Sequence, residues 1–343
     1  MKHSDAVTLA DVAGAVGVHP STASRVLSGQ MTGTPTAERI LAAAAEMGYR
    51  PNLAAASLRT RNSRVLGVLV PRFTDYVLAR VYEGIDDAAF AAGYSTVATY
   101  SQDHDSSRLE RLEALLDRRV DGVVIADARP QNDEVIDALA HGAVPFALAV
   151  RRSRGQLSAT VNDTVGGALA ASHLVATGHS RVAVLRGPEN ASTATERTRG
   201  FLEEAKRLSM HVPEALVVPS EFDEESGYQA TRLLLRRAKV TAIFATNDLA
   251  AVGAMGALRE ASLQPGRDVA LIGYNDVPFV RHLPVPLTSI DSPIYELGRR
   301  ATTLLLRRLA GENVRSVRLT PNLVARASTL DYMPLRDARR AAH

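Results

Sequence analysis

From residue 65 to residue 320 the chain repeats one pattern: a short aliphatic run, a polar turn, then a longer amphipathic stretch. Few architectures satisfy that alternation. Aliphatic runs at 65–71, 94–100, 121–126, 144–150, 182–186, 215–219, 240–245, 269–273, 287–290 and 314–320 predict strands. Helical periodicity predicts helices at 75–92, 106–116, 132–139, 165–176, 195–209, 224–237, 248–260 and 294–309. Strands alternating with helices imply parallel sheets covered on both faces. The strands are too many for one sheet of ordinary size. The reading is therefore two similar α/β lobes with a cleft at the carboxyl ends of their strands. Tryptophan is absent and aromatics make up 5% of the chain, so the cores must be aliphatic.

Residues 8–47 differ in kind and read as three short helices. Thr8 and Asp11 stand at capping-box spacing, which predicts a helix start. Leu9, Val12 and Ala13 share one face, and Gly17 ends the helix. His19 falls at the next N-cap and Pro20 at the first helical position, where its missing N–H costs nothing. The second helix is expected from Pro20 to Leu27, and Thr34 with Pro35 opens the third. Ile40, Leu41, Ala44 and Met47 are expected on its inner face, with Gly48 ending it. Gly17 and the small residues nearby fit two helices crossing through a tight turn. Ser21, Thr22 and Arg25 then point outward, and arginine at such a place can pair bidentately with guanine.

Charge agrees with that placement. The net formal charge is +3, and residues 1–64 carry seven basic against four acidic side chains. Residues 65–343 carry equal numbers of each, so the whole excess sits on the head. A small basic head on a neutral body is the footprint of a polyanion contact, although three charges by themselves fit a solvated surface better. The chain has no cysteine, hence no disulfide and no thiolate chemistry. No secretory signal or membrane span is read, the nine histidines show no zinc spacing, and no GxGxxG, Walker A or HExxH sequence occurs. Neither metal nor cofactor is expected, and no catalytic constellation points to an enzyme.

The segment from Val7 to Gly29 closely resembles the DNA-binding head of the lactose-repressor (LacI) family of bacterial regulators. The matching residues are Thr8 to Ala13, Gly17, Val18, and Ser21 to Leu27, with Ala23 and His19 departing from the usual Val and Ser. Gly48, Tyr49, Arg50, Pro51 and Asn52 match the family's approach to its hinge helix, and Ala55, Ser57, Leu58 and Arg59 continue it. The body extends the likeness through Val65 to Pro71, Gly84, Gly166, Gly167, Gly178 to Ala183, Ala245 to Asp248, Gly273 to Asp276, and Pro286 to Ile290.

The resemblance implies an all-α helix-turn-helix head and a periplasmic-binding-protein-like core of two parallel sheets. It divides the chain into a DNA-binding domain at 1–50, a hinge helix and linker at 51–63, a core at 64–333 and a tail at 334–343. Lobe one takes about 64–160 and 292–320, lobe two about 161–291 and 321–333. Crossovers are expected near 159–162, 290–293 and 320–322. DNA-contacting residues carried over are Thr8, His19, Ser21, Thr22, Ser24, Arg25, Asn52, Ala55 and Leu58, with Leu58 as a wedge between base pairs. Effector contacts carried over are Phe73, Tyr76, Asp163, Arg197, Asn247, Asn275 and Asp276. Asn247 has an alternative as a helix cap and Asn275 as a turn residue.

Two departures alter the expected ligand. Asp75 to Leu78 replaces the family's aromatic loop, and Val150 stands where an aspartate is common, so a plain aldohexose is not the default. The implied partners are double-stranded operator DNA, a second copy of the chain rather than a tetramer, and a sugar, sugar derivative or other metabolite. The implied place is the cytoplasm, on the nucleoid, with no membrane. The alternatives are a solute-binding protein, against which the head and the missing signal peptide argue, and an α/β enzyme with an accessory helical domain, against which the lack of a catalytic constellation argues.

Overall fold

The computed structural model describes residues 7–27, 29–49 and 62–330. The chain divides into two compact units, Met1–Ser63 and Arg64–His343.

The first unit contains α1 (Leu9–Val16), α2 (Pro20–Leu27) and α3 (Pro35–Glu46). The capping box forms: Thr8 N–H donates to Asp11 Oδ2 at 2.8 Å, and Asp11 N–H donates to Thr8 Oγ1 at 3.3 Å. Gly17 takes φ 74° and lets the chain turn out of α1. Val12, Ala13, Val16, Ala23, Val26, Ala37, Ile40 and Ala44 form the core of this unit. Ile40 is fully buried; a side chain of that size contributes about 1.5–3 kcal/mol when taken from water. Leu41, expected inside, is 50% exposed. The inner face of α3 follows Ala37, Ile40 and Ala44, and Leu41 lies one residue, about 100° of helix, past Ile40. The hinge, with Asn52, Ala55 and Leu58, lies outside the described residues.

The second unit runs β1 (Val65–Val70), α4 (Tyr76–Ala91), β2 (Ser95–Tyr100), α5 (Asp105–Leu116), β3 (Gly122–Ile125), α6 (Glu134–His141), β4 (Phe146–Ala149) and β5 (Ser158–Val161). It crosses into α7 (Asp163–Ala176), β6 (Val182–Arg186), α8 (Ser192–Arg207), β7 (Val217–Pro219), α9 (Glu224–Arg237), β8 (Ala242–Ala245), α10 (Asp248–Glu260), β9 (Ala270–Asn275) and β10 (Thr288–Asp291). It returns through α11 (Ile294–Leu309) and β11 (Val317–Leu319), then crosses again to β12 (Asn322–Val324). One sheet has the order β11-β5-β4-β3-β1-β2 and the other β12-β10-β9-β8-β6-β7. All pairings are parallel except β12, which runs antiparallel to β10. The crossovers fall between β5 and α7, β10 and α11, and β11 and β12, where the sequence places them.

Two helices begin earlier than the apolar period suggests. α7 starts at Asp163 and α8 at Ser192, ahead of 165 and 195. Their first turns carry polar residues that are nonetheless buried, so hydropathy does not reveal them. The expected strand at 215–219 opens with a single 3-10 turn, Glu214–Leu216.

The pair α7 and α8 packs backbone to backbone. A Cβ on Gly167 would lie 2.0 Å from Arg197 O, and one on Gly200 would lie 2.0 Å from Thr164 O. Only glycine permits that approach. It brings the first turn of α7, with Asp163, against the α8 turn that carries Arg197.

Candidate functional site

In the head, the outer surface of α2 presents the expected residues. Ser21 and Arg25 are exposed and Thr22 and Ser24 half-buried, while Ala23 and Val26 face the core. His19 Nδ1 lies 2.8 Å from Ser21 Oγ and accepts the Ser21 N–H at 3.3 Å. It thereby does the capping work that a serine at that position does. Thr8 Oγ1 donates to Asp11 Oδ2 at 2.7 Å, so its hydroxyl is committed to the helix start.

The cleft lies at the carboxyl ends of the strands of both sheets; its cavity volume is about 50 Å³, within a partly open space of about 560 Å³. Arg197 is its centre on lobe two. Its Nε donates to Asp163 Oδ1 at 2.7 Å, one Nη to Thr246 O at 2.8 Å and the other to Asn275 Oδ1 at 3.3 Å. The guanidinium lies 3.7 Å above the Tyr274 ring, a favourable cation–π placement. Burial works against the Arg197 charge, and Asp163 outweighs it, so its pKa is raised. Burial pushes the Asp163 carboxyl up despite Arg197. Asn275 sits at φ 104° and Asp276 at φ 50°, a turn that asparagine and aspartate tolerate better than most.

Asn247 is both a cap and a cleft residue. Its Oδ1 accepts the Ala250 N–H at 2.9 Å while its side chain borders the cleft. Asp248 follows and faces inward: Val277 N–H donates to it at 2.9 Å and Ser289 Oγ at 2.6 Å. Burial pushes the Asp248 carboxyl up to about 7.

On lobe one most buried charged groups pair with one another, and Arg72 also lines the cleft. Arg151 meets Asp103 through two hydrogen bonds of 2.8 Å each. Arg129 also binds Asp103, at 2.7 Å, and reaches Asp105 at 2.9 Å. Arg129 N–H donates to Asp133 Oδ2 at 2.6 Å, and Arg108 Nη2 donates to both Asp133 oxygens at 2.9 and 2.8 Å. Arg108 Nε faces Asp127 at 3.3 Å, and Ser101 Oγ donates to Asp127 at 2.5 Å. Asp75 caps α4 by accepting the Val77 N–H at 2.9 Å. Burial raises its pKa.

Of the seven expected effector residues, Arg197, Asn247 and Asn275 border the cleft, and Asp163 borders the recess directly behind it. Phe73 and Tyr76 do not. Phe73 is 42% exposed and meets the rings of Tyr82 and Tyr100 edge-on. The Asp75 cap starts α4 so that Val77 and Leu78 turn to the cleft and Tyr76 to solvent. Asp276 also stands outside, with its carboxylate gripping Arg326 at 2.5 and 2.9 Å. The cleft residues that sequence reasoning missed include Asp103, Arg151, Thr193 and Phe222. Thr193 was accessible, since it precedes Arg197 by one helical turn on the same face. Asp103 and Arg151 were not, because nothing in the sequence pairs residues so far apart.

A three-helix unit with a polar outer helix, followed in one chain by a two-lobed core closed around a polar cleft, defines a regulator with one face for nucleic acid and one pocket for a small ligand. Comparison with known proteins agrees. Residues 8–52 match the model of bacterial regulatory proteins of the lacI family, and residues 171–329 that of a periplasmic binding protein-like domain. The ribose operon repressor of Escherichia coli K12 is 30% identical over 329 residues, covering 94% of this chain and 99% of the relative. The transcriptional repressor PurR of Erwinia tasmaniensis is 30% identical over 341 residues, covering 97% and 99%. Among solved structures, the Lac repressor dimer bound to operator and the anti-inducer ONPF is 28% identical, with a TM-score of 0.83 and 95% and 100% coverage. The regulator CelR in complex with cellobiose is 30% identical, with a TM-score of 0.73 and 94% and 99% coverage. The chain belongs to the lacI family of bacterial regulatory proteins.

Proposed function

We propose that the chain is a transcriptional repressor that binds a near-palindromic operator as a homodimer and is released or engaged by a small metabolite in the interlobe cleft. The observation that carries this reading is the presence, in one chain, of an outward Arg25 on α2 and a buried Arg197 lining the cleft between the two lobes. The protein acts on the nucleoid in the cytoplasm, as a regulator rather than an enzyme. Two heads on one dimer read two half-sites spaced by about one or more helical turns of DNA. Thr8, His19, Ser21, Thr22 and Ser24 position the head, Arg25 reads a base edge, and the hinge segment with Asn52, Ala55 and Leu58 enters the minor groove. Arg197, Asn247 and Asn275 hold the effector, and Asp163 fixes Arg197 from behind. Effector and operator each change the other's affinity by the same factor, as linkage requires.

The test is selection of duplexes from a random library by the full-length protein. The expected product is a near-palindrome, and Arg25→Ala is expected to lose about 1–3 kcal/mol of binding and relax one base position per half-site. Absence of any enriched duplex would overturn the reading, and an unchanged profile in the variant would remove Arg25 from base recognition.

A further inference from the structure

The loop after β4 belongs to lobe one, yet Arg152 reaches α8 of lobe two. Its N–H donates to Ser192 Oγ at 2.9 Å, and its side chain pairs with Glu196, one helical turn further along α8. Ser192 and Glu196 are both buried, and Arg152 is the one ion-pair partner of Glu196 among the described residues. The same turns of α8 carry Thr193 and Arg197, which line the cleft. Val77 of lobe one adds an apolar contact by packing against the hydrophobic core of lobe two.

The reach across to α8 strains the backbone. Val150 stands at φ 67°, a region that a β-branched side chain enters only against steric resistance. Arg151 N–H closes a three-residue turn onto Ala149 O at 2.7 Å, the uncommon γ-turn with positive φ. Asp103 of lobe one holds Arg151 through two hydrogen bonds of 2.8 Å each. The turn therefore stands between a lobe-one anchor at Arg151 and a lobe-two anchor at Arg152. A strained conformation persists only where its surroundings over-determine it, and here the two anchors do so together.

The cleft that these contacts shut has a cavity volume of about 50 Å³. Sites for small molecules run to about 300–1,000 Å³. A metabolite enters only when the lobes part, and parting carries Arg152 away from α8.

We propose that Arg152 is an interlobe latch: with Ser192 and Glu196 it holds the cleft shut, the strained turn at Val150 pulls against it, and occupancy by an effector requires its release. Latch and effector then compete, and the effector's apparent affinity falls with the fraction of molecules that are latched. That consequence rests on the cleft being the effector site; the latch itself does not.

The chain has no cysteine, so a single introduced thiol reports opening in the full-length protein. Thr193→Cys places it in the cleft, at a position 3% exposed. Thr231→Cys places it at a fully buried position of α9 and is the control for unfolding. Both are labelled with iodoacetamide, whose reaction follows the population of the open form when reclosing is fast. Adding Arg152→Ala is expected to speed labelling of Thr193→Cys by about tenfold and to leave Thr231→Cys unchanged. Arg152→Lys, which keeps the charge, is expected to fall between Arg152→Ala and the Thr193→Cys parent. Val150→Asn, which relaxes the turn, is expected to slow labelling below that parent. Thermal midpoints show that each variant is folded, and Glu196→Gln replaces Arg152→Ala if the latter is not. An unchanged rate in the latch variant, equal acceleration at both cysteines, or a Val150→Asn rate at or above the parent's would overturn the proposal. Failure to select an operator would instead overturn the regulatory reading and leave the latch standing.

Discussion

Among the described residues, lobe one buries three arginines, Arg108, Arg129 and Arg151, while lobe two buries only Arg197. The lobes share a fold but dispose of these charges differently. In lobe one the cations and the carboxylates of Asp103, Asp127 and Asp133 engage one another in a continuous network. That network braces α5, α6 and the end of β4, and it offers the cleft few open valences. In lobe two a single cation is held by one carboxylate, one carbonyl and one amide, and the neighbouring donors stay open. The comparison teaches that one lobe supplies a stiff wall and the other supplies recognition.

The sharpest way to break that division is to remove the central arginine of each lobe. Arg108→Ala strands two buried carboxylates, Asp127 and Asp133, and is expected to cost roughly 3–5 kcal/mol. Arg197→Ala strands one, whose pKa is already raised by burial, and is expected to cost less while abolishing the effector response. Urea unfolding and effector titration of the operator complex measure both. The division fails if Arg197→Ala is the more destabilising change, or if folded Arg108→Ala has lost its effector response.

A smaller effect separates packing from recognition. Each lobe has a helix pair joined through reciprocal glycines. In lobe one, a Cβ on Gly298 would lie 2.0 Å from Val81 O; in lobe two, one on Gly200 would lie 2.0 Å from Thr164 O. Gly298→Ala and Gly200→Ala are each expected to cost about 1–3 kcal/mol, because the helices must part. Only Gly200→Ala is expected to raise the effector concentration needed, since α8 carries Thr193 and Arg197. Thermal midpoints and effector titrations distinguish the two outcomes, and an equal loss of response in both variants would mean that helix spacing, not the lobe-two face, governs the ligand.

The sequence carried the fold further than the site, for physical reasons visible in particular residues. Aliphatic runs such as Val65 to Val70 can only be buried strands here, and Gly17, Pro20 and Thr34 mark the helix ends in the head. The two lobes followed from the element count, and the crossovers between them from the family resemblance. Arg197 and Asn275 were found because the family motif carries them. The lobe-one network was not legible: Asp103, Arg129 and Arg151 are far apart in sequence and meet only when β2, β1, β3 and β4 assemble in that order in one sheet. Phe73 and Tyr76 were carried over from the family resemblance, and neither lines the cleft. The Asp75 cap, a single hydrogen bond to Val77, decides which residues of that turn face inward.

Two buried carboxyls, Asp248 of lobe two and Asp103 of lobe one, also differ in the sign of their response to pH. Burial pushes the Asp248 carboxyl of lobe two up to about 7 from an ordinary 3.8, against the hydrogen bonds from Ser289 and Val277. Below about pH 4 both folded and unfolded chains hold that proton; between about 4 and 7 only the folded chain does. Its contribution to stability is therefore fully present at low pH and lost as pH rises through about 7. Asp103 of lobe one is the reverse. Burial opposes its charge, but Arg151 and Arg129 outweigh burial and hold its pKa below the ordinary value. Its contribution is present above about pH 4 and lost as pH falls below it. Asp248→Asn keeps a carbonyl that can accept one of the two hydrogen bonds and removes the titration. Its thermal midpoint is expected to decline less than that of wild type between pH 5 and pH 8, whereas Asp103→Asn is expected to leave that slope unchanged and to flatten the loss of stability below pH 4. Parallel slopes for wild type and Asp248→Asn would mean that Asp248 ionises as readily as Asp103, and that burial without a cation partner does not raise its pKa.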